Sequence, residues 1–290
     1  MFPEDFTPFR VPTTGAEIAG VMGGSGPPLL LLHGYPQTHL MWHRIAPRLA
    51  EEFTVVAADL RGYGASSKPA TDDDHAPYSK RAMALDMLEV MRVHGHSRFA
   101  VVGHDRGGRV AHRLAADHPK AVERIAVLDI APTREMYRGT TDAFARAYWH
   151  WFFLIRPAPI PETAILADPV LYWEHKTSGW AGGLAPFAPE AKAAYLAAWT
   201  EETIRASCED YRAGASIDIR HDDEDLGARL PMPLLCLWGA DGVVARCFDP
   251  LALWRERAED VSGGAIPGGH FLAEESPEET LVALLPFLRG

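Results

Sequence analysis

Apolar residues fall in short, uninterrupted runs along the chain, each ending at Gly, Asp or His. Pro28–Leu32 leads into His33-Gly34, Phe53–Ala58 into Asp59, and Phe99–Val102 into Gly103-His104-Asp105. Ile125–Leu128 leads into Asp129, and Leu234–Trp238 into Gly239. Runs this short, partly β-branched and apolar throughout, predict strands buried on both faces. Between them the apolar positions take up a helical period, over Ser79–Val93, Arg106–Asp117 and Pro277–Leu288. Alternating strand and helix predicts an α/β protein with a mostly parallel central sheet flanked by helices. The alternation stops after Asp129. From Thr133 to Asp225 no strand-like run occurs, aromatic residues and Ala are frequent, and Pro157-Ala158-Pro159, Gly182-Gly183 and Pro186 interrupt the pattern. A helical cap at 133–225 is therefore expected between two parts of the core, 1–132 and 226–290. The strand pattern resumes at Pro231, and there is no internal repeat.

Composition narrows the function classes. The chain has 290 residues, 47% hydrophobic and 23% charged, which suits a globular protein with a sizeable core. Its formal net charge of -11 argues against a nucleic-acid partner or an anionic membrane surface. No apolar run approaches the ~20 residues of a membrane span. The opening MFPEDFTPFR lacks the basic and apolar regions of a signal peptide. Cys208, Cys236 and Cys247 are odd in number and lack metal-ligand spacing, which points to a reduced, cytoplasmic setting and no metal site. The acidic runs Asp72–Asp74 and Asp222–Asp225 are expected to be solvated surface loops.

The most informative segment is Phe99–Arg109, an apolar strand, then Gly-His-Asp-Arg-Gly, then a helix. It has the strand–turn–helix pattern of a nucleophile elbow, with Asp105 where serine is usual. Gly103 and Gly107 allow a sharp turn and close helix packing. A helix N-terminus favours negative charge, so Asp105 is expected to be ionised and presented to a ligand. The loop His33-Gly34-Tyr35-Pro36 follows the first clear strand and can offer a backbone N–H to an oxyanion, with the N–H of Arg106 as a second donor. Tyr35 and His104 are placed on this oxyanion side of the pocket. His270, in Gly268-Gly269-His270-Phe271 before the last helix, is the expected general base. Its orienting acid is either Asp129, at the end of the strand after the elbow helix, or Asp241 in Trp238-Gly-Ala-Asp241. Asp241 sits one place early for the later-strand position, so Asp129 is preferred.

A carboxylate is a poor acyl-transfer nucleophile, because its product is an anhydride. It suits displacement at a saturated carbon, which gives an alkyl ester that activated water then hydrolyses. This argues against a serine esterase, lipase or peptidase and for alkyl halides or epoxides as substrates. Arg106 and Arg109, three apart in the first helical turn, share a face and can clamp a substrate carboxylate beside Asp105.

With these residues in view, the chain resembles the fluoroacetate (haloacetate) dehalogenases of the α/β-hydrolase superfamily. The resemblance rests on His33-Gly-Tyr-Pro-Gln-Thr-His39, Asp59-Leu-Arg-Gly-Tyr-Gly64 and Gly103-His-Asp-Arg-Gly-Gly-Arg109, and it covers nearly the whole chain. It implies the α/β-hydrolase fold, a halide site at His150, Trp151 and Tyr211, and a pocket tryptophan at Trp180. It further implies Asp129 as the partner of His270, a homodimer and no cofactor. Tyr35 stands where the family pattern has phenylalanine, and a hydroxyl there would change the size or polarity of substrate preferred. The resulting expectation is hydrolysis of a small anionic 2-haloacid. An epoxide hydrolase with the same Asp–His chemistry is the alternative, with Tyr148, Tyr172, Tyr195 and Tyr211 as available acids. A ligand-binding member of the fold without activity is a third.

Overall fold

The computed structural model describes residues 1–179 and 182–290. The apolar runs lie side by side in one eight-stranded sheet. Its strands are β1 (Thr7–Pro12), β2 (Glu17–Gly23), β3 (Pro28–Leu32), β4 (Thr54–Ala58), β5 (Phe99–His104), β6 (Val122–Leu128), β7 (Leu234–Gly239) and β8 (Val261–Ile266). The order is β1-β2-β4-β3-β5-β6-β7-β8. β1 and β2 pair antiparallel, β2 pairs antiparallel with β4, and every pairing from β4 to β8 is parallel.

The central strands are apolar along most of their length because both faces are covered, with Glu123 and Arg124 near the start of β6 as exceptions. Leu30, Leu32, Val56 and Val101 join the core on one side, and Leu29, Leu31, Val55 and Val102 join the core on the other. The five expected strands and three expected helices are present within a few residues of their expected ends. Ser79 caps its helix by accepting from the Ala82 N–H at 3.2 Å.

Three strands lack an apolar signature. β1 buries only Val11, and β8 buries only Ile266 while carrying Gly263-Gly264. Both are sheet edges, where packing demands little of the sequence. β2 contains Gly20, whose close approach to Ala57 leaves no room for a side chain.

Between Thr133 and Glu224 the described residues form helices and no strand, inserted between β6 and β7. Their buried aromatic residues, Trp151, Trp173 and Tyr211 among them, join the same core as Leu30 and Val101. The acidic run at the end of this segment departs from expectation. Asp222 is buried within the helix Ile217–Glu224 and accepts from Arg113 Nη2 at 2.8 Å. Asp225 also pairs with Arg113. Arg113 is itself buried and requires counter-charges, which draws Asp222 and Asp225 inward while Asp223 and Glu224 stay exposed. Asp72–Asp74 do form an exposed loop.

Candidate active site

β5 delivers Asp105 to the sheet's carboxyl edge, and the helix Arg106–Asp117 begins at the next residue. Asp105 has φ 46° and ψ −114°, a region L-residues rarely occupy. The turn is tight enough that a Cβ on Gly107 would lie 2.3 Å from the Leu32 carbonyl oxygen. The glycine lets the helix settle against β3 and β5 and fixes where the Asp105 side chain emerges.

That side chain is buried. The Tyr35 N–H donates to Asp105 Oδ2 at 3.1 Å, so the His33–Pro36 loop does aim a backbone donor at the carboxylate. Burial alone would raise the Asp105 pKa. Electrostatic interaction with His270, Arg109, His104 and Arg106, of which the two arginines carry permanent charge, outweighs it and holds the group below its ordinary value.

His270 Nε2 lies 4.0 Å from Asp105 Oδ2, and His270 Nδ1 lies 2.6 Å from Asp129 Oδ2. Nδ1–H donating to a carboxylate puts the acceptor lone pair of the neutral ring on Nε2, the side facing Asp105. Asp129 is held by a second contact, the Gly239 N–H donating to Oδ1 at 3.0 Å. Asp241 is exposed and makes no hydrogen bond to His270 among the described residues, although both line one cavity of about 230 Å³. The geometry therefore joins His270 to Asp129. His104 is buried, its pKa pushed down to about 3 mainly by desolvation. As a neutral ring it donates Nε2–H to the His270 carbonyl at 2.8 Å. It thus contacts the backbone of the histidine loop.

Sequence spacing leaves open how the two arginines are engaged. Arg106 is fully buried and bound bidentately to Asp210, Nε to Oδ2 at 2.8 Å and Nη2 to Oδ1 at 2.6 Å. Asp210 also accepts from the Tyr63 hydroxyl at 2.7 Å and pairs with Lys80. The Arg109 Nη1 donates to Thr133 Oγ1 at 2.9 Å and the Ala131 carbonyl at 3.2 Å. Arg106 Nη1 and Arg109 Nε are buried and have no hydrogen-bond partner among the described residues. A buried guanidinium N–H without an acceptor is costly, so each is suited to an anionic ligand.

The helical insertion supplies the roof. Arg106 lies 4.2 Å from the Tyr211 ring centroid, and Arg109 lies 4.8 Å from that of Trp151. The His150 and Tyr211 rings are 5.5 Å apart, and Tyr35 is 5.1 Å from Tyr211. All four aromatic rings are buried. The Tyr211 hydroxyl and Trp151 Nε1 have no hydrogen-bond partner among the described residues. The Tyr35 hydroxyl donates to that of Tyr172 at 2.9 Å, so its polarity is engaged by the insertion. Trp180 lies outside the described residues.

Sequence reading did not indicate Asp210 or Lys176, and it named Tyr172 only as an available acid for epoxide opening. Lys176 is buried, with Nζ 5.6 Å from the Trp149 ring centroid, and desolvation drives its pKa well down. These residues meet the site only through tertiary contact. The one available hint is that Asp210 adjoins Tyr211. Among the described residues no cluster of three or more His, Cys, Asp or Glu is arranged to hold a metal ion. None of the described helices is long and apolar enough to cross a membrane.

A parallel sheet carrying an aspartate at its elbow and a histidine–aspartate pair at its carboxyl edge defines an α/β hydrolase. Residues 27–166 match the alpha/beta hydrolase fold family. An α/β hydrolase of Nostoc sp. PCC 7120 superposes with a TM-score of 0.97 at 55% identity, covering 98% of each chain. A fluoroacetate dehalogenase of a Burkholderia species is 50% identical over 270 residues, 92% of this chain and 89% of that one. A soluble epoxide hydrolase of Corynebacterium sp. strain C12 is 34% identical over 98% of this chain and 97% of its own. The chain belongs to the α/β-hydrolase family, in the branch that contains fluoroacetate dehalogenase.

Proposed function

We propose that the protein hydrolyses the carbon–halogen bond of short 2-haloacids, converting fluoroacetate or another haloacetate and water to glycolate, halide and a proton. Residues 133–225 act as a cap over the site. The observation that carries this reading is the pair of buried, unpartnered arginine N–H groups beside an ionised aspartate in the elbow. A neutral substrate would leave both unsatisfied, whereas a carboxylate accepts from both.

Arg106 Nη1 and Arg109 Nε hold the substrate carboxylate and offset its repulsion from Asp105. One Asp105 oxygen attacks the α-carbon, the carbon–halogen bond breaks with its electron pair on the halide, and an Asp105 ester forms. His150, Trp151 and Tyr211 receive the halide. Fluoride is small and strongly hydrated, so it departs only where such donors replace its water. His270 then takes a proton from water, which adds to the ester carbonyl carbon. The oxyanion is stabilised by the Tyr35 and Arg106 backbone N–H groups. Asp129 stabilises the imidazolium and fixes its ring. Collapse breaks the bond to the glycolate oxygen, which takes up a proton as it leaves. The Asp105 carboxylate is restored, His270 is returned to its neutral form, one proton passes to solvent, and no step calls for a cofactor. By resemblance to the dehalogenases, the active form is a homodimer.

The relationship to a soluble epoxide hydrolase keeps one second reading, ring opening by the same Asp105–His270 pair. A halide electrode and product analysis with fluoroacetate and chloroacetate decide between them. Stoichiometric halide and glycolate are expected. Absence of both, with diol formed from a styrene-type epoxide, would replace the dehalogenase reading.

A further inference from the structure

His270 sits in a loop that its own sequence leaves soft. Gly268 and Gly269 precede it, and Gly268 has φ +112°. The loop packs directly on the end of β7, where a Cβ on Gly239 would lie 1.8 Å from the Gly269 carbonyl oxygen. Something outside the loop must fix it. The carboxylate of Glu275, five residues downstream, accepts from the two amides flanking the histidine. Gly269 N–H donates to Oε2 at 2.8 Å and Phe271 N–H donates to Oε1 at 2.7 Å. With His104 donating to the His270 carbonyl, the peptide group after the base is held through both its C=O and its N–H, and the 268–269 peptide through its N–H.

We infer that Glu275 is a positioning residue for water activation, aiming His270 at the Asp105 ester by bridging the backbone on both sides of it. The inference rests on the proposed role of His270 as base. Both carboxylate oxygens are used, so an isosteric amide cannot replace them. Glutamine offers one acceptor and turns an NH₂ toward the other N–H. Aspartate is a methylene too short to span both amides. The Glu275 carboxylate is engaged by the Gly269 and Phe271 amides and not by Arg106 or Arg109, so alkylation of Asp105 is not expected to depend on it.

Single-turnover mixing with chloroacetate, read by chloride release and by mass spectrometry of the intact protein, separates the two steps. In E275Q, chloride release should stay within about two-fold of the parent, while ester hydrolysis slows by about ten- to a hundred-fold and esterified Asp105 accumulates. E275D should change the same step, and it carries the test if E275Q fails to fold. Ester hydrolysis at the parent rate, or both steps slowed by one common factor in either variant, would overturn the inference. His270→Ala in the same apparatus distinguishes the two failures. If it stalls as the ester, a normal E275Q counts against Glu275 alone. If it turns over like the parent, the base assignment falls and the role of Glu275 with it.

Discussion

Asp105 is held where few side chains are, in a backbone conformation that costs about 1–3 kcal/mol, and it is buried with its charge retained. Strain and desolvation are both tolerated because the Tyr35 N–H and the neighbouring cations favour the carboxylate form. The elbow was legible in the sequence because its constraint is local: glycines at fixed offsets around one acid, between a strand and a helix. The partners of Arg106 were not, since Asp210 lies far along the chain and is an ordinary acid until the helix Glu201–Ala215 brings it in. The proposed halide site gives a prediction at this scale. Tyr211→Phe removes a buried hydroxyl that makes no hydrogen bond within the described protein. Fluoride release should therefore fall by roughly a hundred-fold, taking the loss of one transition-state donor as ~3 kcal/mol. Bromide, larger and weakly hydrated, should be affected far less. An equal fall for fluoro-, chloro- and bromoacetate in a halide-electrode series would show that the hydroxyl acts by packing alone.

Elements are joined around the site by buried polar contacts that periodicity does not reveal. Asp210 ties its own helix to Arg106 at the start of the elbow helix and to Lys80 and Tyr63 in the core. Glu274, in the helix Leu272–Glu275 that follows His270, accepts from Tyr195 of the inserted helix Pro189–Ala198 at 2.5 Å and from Gln37 at 3.2 Å. Burial lifts its pKa to about 7, against the opposing pulls of Tyr195, Arg44 and Gln37. A carboxyl group raised in the folded state binds its proton more tightly there than in the unfolded chain. Its stabilising contribution is complete below about 4.5 and is lost as pH rises through about 7. The full difference is on the order of 3 kcal/mol. Denaturant titrations across this window should show the parent losing stability, relative to Glu274→Gln, as pH increases. Parallel curves for the two proteins would mean that Glu274 ionises freely in the fold.

Across the whole molecule, the order of strands and helices could be read because a parallel sheet covered on both faces must be apolar at every central position, as Leu29–Leu32 and Val55–Ala58 are. The edges could not, because β1 and β8 bury one residue each. The helical insertion was recognisable by its lack of strands, but its seating on the core depends on rings such as Tyr35, His150 and Tyr211 meeting from distant segments. The result is a site in which an aspartate, a histidine–aspartate pair and two arginines sit under one aromatic roof. In the proposed cycle Asp105 becomes covalently bound to the substrate carbon. The most direct test is one turnover of chloroacetate in heavy-oxygen water, followed by mass spectrometry of the protein and of the glycolate. The account predicts label in the Asp105 carboxylate and unlabelled glycolate. Labelled glycolate from an unlabelled enzyme would mean that water strikes the substrate carbon itself, and the ester mechanism would be wrong.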